Sequence, residues 1–129
     1  MTDKSDNKST NEKLIHAEMS YQLVGILFTA HKTLGRFARE KQYGDFIEKE
    51  LQLQNVPYKR EFPIGSTGNI ADFMVDEKII LEIKAVRIIT DECYRQVQNY
   101  LQQSKLRLGL LVNFHTRFLK PHRVIRVDH

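Results

Sequence analysis

The chain has 129 residues, 41% of them apolar, enough for one domain with a real core and too few for two ordinary ones. A net charge of +4, a sequence pI near 9.2 and a single cysteine, Cys93, exclude an internal disulfide, and the scattered His16, His31, His115, His122 and His129 give no zinc spacing. These features fit a soluble, reducing, cytoplasmic setting, with no apolar run able to span a membrane or act as a signal peptide.

Residues 1–12 read as a polar, disordered tail, leaving 13–129 as a single domain. Leu23, Val24, Leu27 and Phe28 recur at helical spacing and predict a first amphipathic helix over 13–31, whose apolar face leaves a homodimer open. Gly35 marks a break. A second helix over 38–54 carries Tyr43, Phe46, Ile47 and Leu51 at helical intervals, with Pro57 beyond its end.

Tyr58–Ile64 predicts a strand, Gly65–Gly68 a turn, and Ile70–Val86 a hairpin, so three strands follow one another as a meander. Thr90 reads as the N-cap of a third helix reaching about Gln103, with Asp91 and Glu92 favourably placed in its first turn. Leu106–Phe114 predicts a buried strand and Arg123–Val127 a short last one. The order ααβββαββ implies an α/β fold with a mixed sheet flanked by helices.

The hairpin carries Asp72, Glu82 and Lys84 where apolar residues are expected, and buried charges are costly unless paired or neutralised. Three acid-x-Lys triplets occur. Asp6-Asn-Lys8 lies in the tail and Asp76-Glu-Lys78 in the hairpin turn, whereas Glu82-Ile-Lys84 interrupts an apolar strand. Alternation sends Glu82 and Lys84 to one face and Leu81 and Ile83 to the other. A three-residue loop, Asp76–Lys78, pairs Val75 with Ile79 and sets Asp72 opposite Glu82; a two-residue loop would turn Asp72 to the opposite face. We expect the three-residue loop.

Facing carboxylates repel unless a proton or cation lies between them. A hard divalent cation, Mg²⁺ or Mn²⁺, suits Asp72, Glu82 and the Ile83 carbonyl, and Lys84 is then placed to orient an attacking water. The plainer reading is a half-exposed strand face with a Glu-Lys pair. Gln96 and Tyr100 share one face of the third helix, at a spacing that lets both reach the same site.

These residues resemble a known pattern. Asp72, Glu82-x-Lys84 and Gln96-x-x-x-Tyr100 resemble the RecB-like branch of the PD-(D/E)xK nucleases. Leu34-Gly35, Glu40-x-x-Tyr43, the strand Ile79–Ala85 and Leu108–Phe114 resemble the small GxxExxY proteins of that superfamily. The likeness runs from about Tyr21 to Val127. It implies a restriction-endonuclease-like core, metal ligation by Asp72 and Glu82, catalysis by Lys84, an auxiliary pair in Gln96 and Tyr100, and Glu40 completing the site. Ala71 stands where the superfamily name has Pro, and Phe37 where the shorter motif has Gly.

The expected activity is Mg²⁺-dependent phosphodiester hydrolysis in nucleic acid, with DNA placed ahead of RNA. The alternative is a non-catalytic nucleic-acid-binding or adaptor module retaining the fold. Six Lys/Arg and no acid lie between Lys105 and Val127, which suits a polyanionic partner. Arg87, Arg95, Lys105, Arg107, Arg117, Lys120 and Arg123 are the expected nucleic-acid contacts.

Overall fold

A computed structural model describes residues 15–128, so the expected N-terminal tail lies outside the described residues. The element order is α1 (Ala17–Leu34), α2 (Glu40–Leu53), β1 (Tyr58–Ile64), β2 (Asn69–Val75), β3 (Ile79–Lys84), α3 (Asp91–Ser104), β4 (Leu108–Asn113) and β5 (His122–Ile125). All five strands form one sheet in the order β1-β2-β3-β4-β5, with β3 and β4 parallel and the other neighbours antiparallel. This is the expected α/β fold with a mixed sheet, consistent with a restriction-endonuclease-like core. Among the described residues, no helix is long and apolar enough to cross a membrane.

Helices α1 and α2 cover one face of the sheet, burying Leu23, Leu27, Tyr43 and Ile47 with Phe73, Leu81, Leu110 and Val112. Helix α3 covers the other, where Val97, Tyr100 and Leu101 meet Ile80, Leu111 and Met74. Strands β3 and β4 are therefore buried on both faces, which is why they read as nearly unbroken apolar runs. Gly109 lets α3 settle onto the sheet, because a Cβ there would lie 2.6 Å from Val97 Cγ1.

Asp76 and Glu77 both adopt left-handed backbone angles in the hairpin loop, and Lys78 N–H closes it on the Val75 carbonyl. Val75 consequently pairs with Ile79, the register of the three-residue loop. The N-cap expectation for Thr90 needs one correction. Thr90 occupies that position, but its hydroxyl makes no capping bond and lies 3.6 Å from Cys93 Sγ instead.

Candidate active site

Asp72 is the only β2 residue paired with neither neighbouring strand. The β2–β3 ladder stops at Phe73–Leu81, and the β1–β2 ladder skips from Arg60–Phe73 to Phe62–Ala71. The skipped residue on β1 is Glu61, whose φ of 51° is left-handed. Such a kink in a strand interrupts pairing and re-aims side chains. Here it frees the Asp72 N–H, which donates to Glu82 Oε1 at 2.8 Å. In return, Ile83 N–H donates to Asp72 Oδ2 at 2.7 Å. Two carboxylates thus replace the ladder where it opens.

In a strand, the N–H and C=O of one residue face the same neighbour. The Ile83 carbonyl accordingly faces Asp72, and both residues line a cavity of about 470 Å³ together with Glu40, Arg60 and Gly44. Glu82 and Lys84 turn to the α3 side. Lys84 Nζ lies 3.8 Å from Glu82 Oε2 and donates to Gln96 Oε1 at 3.1 Å.

Burial first, then the charge of Asp72, pushes the Glu82 carboxyl up to about 8, against the opposing pull of Lys84. Burial likewise raises Asp72, with Glu40 adding to it and the Ile83 N–H opposing. Tyr100 is buried one turn after Gln96, and burial followed by the charges of Glu82 and Asp72 raises its phenol. Glu40, the first residue of α2, accepts from Ala85 N–H at 3.2 Å.

The model of the PD-(D/E)XK nuclease superfamily matches residues 17–127. The chain belongs to this superfamily. No curated protein and no solved structure matches it.

In this PD-(D/E)XK chain, Asp72, Glu82, Lys84, Gln96 and Tyr100 converge at one end of β3, and Glu40 reaches the same end from the opposite face. Among the described residues, no group of three or more Asp, Glu, His or Cys is spaced to hold a metal. The oxygen donors that the open ladder offers a cation are the Asp72 and Glu82 carboxylates and the Ile83 carbonyl. That set fits a small hard divalent ion, which keeps several waters and takes one or two carboxylates. A buried Glu82 beside a half-buried Asp72, with Lys84 3.8 Å from the Glu82 carboxylate, is also short of positive charge.

The expected basic contacts divide. Arg87 and Lys120 line one cavity of about 310 Å³ at the site's end of the sheet, and Arg117 lies in the loop 114–121 that leaves β4 there. Arg95 shares a separate cavity with Gln96 and Tyr100. Lys105 and Arg107 sit at the far end, because the parallel register pairs Ile79 with Leu108 and Lys84 with Asn113. The fourteen residues of α3 carry the chain roughly 20 Å away from the site before these two appear. Arg123 braces α1 instead, donating to Ser20 Oγ at 2.8 Å and the Ile15 carbonyl at 3.0 Å.

Two residues escaped the sequence reading. Arg60 lines the Asp72 cavity, paired with Asp45 at 2.7 Å and Glu48 at 3.0 Å over the Phe73 ring. Nothing in the pattern of β1 distinguishes it. Asn113 is buried and holds the segment after β3, accepting from Val86 N–H at 3.1 Å and donating to the Val86 carbonyl at 2.7 Å. A lone amide closing an apolar strand was its signal.

Proposed function

We propose that the protein is a Mg²⁺- or Mn²⁺-dependent nuclease that hydrolyses phosphodiester bonds, with DNA favoured over RNA as substrate. The observation that carries this reading is the open ladder at Asp72. Two carboxylates and the Ile83 carbonyl face one gap beside a lysine, in a chain of the PD-(D/E)XK superfamily.

Asp72, Glu82 and the Ile83 carbonyl would hold the cation. Bound there, it would supply Lewis-acid stabilisation of the charge that develops on the phosphate. Lys84 orients the attacking water and lends positive charge to the scissile phosphate. Water oxygen forms a bond to phosphorus and gives up a proton to solvent, the P–O ester bond breaks, and the departing oxygen takes a proton from solvent. Gln96 holds Lys84 in place through its amide oxygen. Tyr100 closes the α3 side of the site, and Glu40 steadies the end of β3 through Ala85. The Glu40-x-x-Tyr43 segment supports a place among the GxxExxY proteins.

The test is a panel of labelled single-stranded, duplex and branched DNA and RNA, with and without Mg²⁺ or Mn²⁺. Cleavage should require the metal and vanish in Asp72→Ala, Glu82→Ala and Lys84→Ala, each still folded by circular dichroism. Calorimetry should show metal binding that Asp72→Asn loses. Salt-sensitive binding of nucleic acid with neither cleavage nor metal uptake would overturn the nuclease reading in favour of a non-catalytic binding module.

A further inference from the structure

Two loops at the site's end of the sheet carry the same dipeptide. Arg36-Phe37 lies in the loop 35–39 between α1 and α2, and Arg117-Phe118 in the loop 114–121 between β4 and β5. In each pair the guanidinium carbon lies over the neighbouring ring, 4.8 Å from the Phe37 centroid and 5.3 Å from that of Phe118. Both rings are open to solvent, Phe37 at 79% exposure and Phe118 at 78%. A single exposed ring is ordinary, whereas exposed apolar surface grouped and rimmed by polar residues marks a contact surface.

The loops are fastened to each other. His115 Nε2 donates to the Ala38 carbonyl at 3.1 Å, and His31 Nε2 to that of Thr116 at 2.9 Å. Tyr43 stacks on Phe114 with centroids 4.1 Å apart, and its hydroxyl ties Gly35 to Ala38. The rings therefore stand on a braced frame. Each also lies close to the proposed site. Phe37 is three residues from Glu40, which bonds Ala85, and Phe118 shares a cavity with Arg87, three residues beyond Lys84.

The charge around these rings selects the partner. Among the described residues, Arg36, Arg87, Arg117 and Lys120 form no ion pair within 4.0 Å. Unpaired cations beside open aromatic faces complement a phosphate backbone with accessible bases. In a duplex, each base face is already covered by its neighbours, so an open ring gains nothing there.

We propose that Phe37 and Phe118 stack unpaired bases of a single-stranded nucleic acid, with Arg36, Arg87, Arg117 and Lys120 along its phosphates. This assignment rests on the nuclease reading only for the placement of the strand across the end of β3.

The experiment measures binding of a labelled single strand, and of the duplex of the same sequence, in EDTA by fluorescence anisotropy. The expected result is tighter binding of the single strand. Phe37→Ala and Phe118→Ala should each weaken it by about 5- to 150-fold, the usual loss for one stacked base. Phe37→Tyr and Phe118→Tyr should retain it, and the salt dependence should not change. A 2-aminopurine base in the strand should lose fluorescence on binding to wild type and not to the double alanine variant.

Equal affinity for single strand and duplex would overturn the proposal. So would alanine variants that bind like wild type, or a lack of binding accompanied by a dimer that the alanine substitutions dissolve in gel filtration. The nuclease reading fails separately. Phe-dependent binding without cleavage sinks that reading alone, and cleavage with Phe-independent binding sinks this one alone.

Discussion

Asp72 and Glu82 hold each other's strands: the Glu82 carboxylate accepts the Asp72 N–H at 2.8 Å, and the Asp72 carboxylate accepts the N–H of Ile83, next to Glu82, at 2.7 Å. Both acids lie where their charged forms are poorly solvated: burial raises the proton affinity of each, and the charge of Asp72 raises that of Glu82 further. The fold is thus strained electrostatically at the place where a cation would relieve it.

That strain has a definite pH signature. An unfolded glutamate titrates near 4.5, whereas Glu82 in the fold is pushed up to about 8. Between these values the folded chain binds more protons than the unfolded one, so stability present below about pH 4.5 is lost as pH rises to about 8. Glu82→Gln removes this dependence. In EDTA, urea titrations should find the variant more stable than wild type at pH 9, on the order of a few kcal/mol, with little difference at pH 4. Equal stabilities at pH 9 would mean that Glu82 carries no such burden.

Glu61 should matter through its backbone rather than its carboxylate. Its left-handed φ breaks the β1–β2 ladder beside Asp72, and such a conformation costs a side-chain-bearing residue about 1–2 kcal/mol. Glu61→Gly should keep both stability and cleavage. Glu61→Val resists the kink, and is expected to lose at least about 1 kcal/mol and most of the activity, as the freed Asp72 N–H returns to β1. Thermal melts and initial rates for the two variants decide it.

Asn113→Ala would strip the Val86 N–H, the Val86 carbonyl and the His115 N–H of their shared partner. Leaving such groups unsatisfied near the core costs about 1–3 kcal/mol each at most, and less where water can enter. A loss of about 2 kcal/mol is expected. Hydrogen exchange should quicken at Val86 and its neighbours, while the core of β3 stays protected.

Gly109→Ala places a methyl 2.6 Å from Val97 Cγ1. Overpacking of this kind costs about 1–3 kcal/mol. If the contact is the cause, adding Val97→Ala should recover part of the loss, and a double-mutant cycle would show coupling between the two positions.

Much of the fold was legible because it depends on short-range patterns. The alternation of Leu81, Glu82, Ile83 and Lys84 named the two faces of β3, and the Asp76–Lys78 loop set the register that brings Asp72 across from Glu82. Gln96 and Tyr100 followed from one turn of helix. Other features depend on contacts between distant segments. The kink at Glu61 has no glycine to announce it, and Arg60 gains its meaning only from Asp45 and Glu48 on α2. The basic residues after Ser104 looked continuous along the chain, yet the parallel crossover sends Lys105 and Arg107 to one end of the sheet and Arg117 and Lys120 to the other.

The gap in the ladder also turns two backbone amides into reporters. The N–H groups of Asp72 and Ile83 sit within a sheet but owe their hydrogen bonds to carboxylates. Anything that recruits those carboxylates, a proton or a divalent ion, alters the amide signals without disturbing their neighbours at Phe73 and Leu81, which remain in the ladder. In an amide-resolved NMR spectrum, the occupancy of the site could then be followed directly, with no substrate and no turnover.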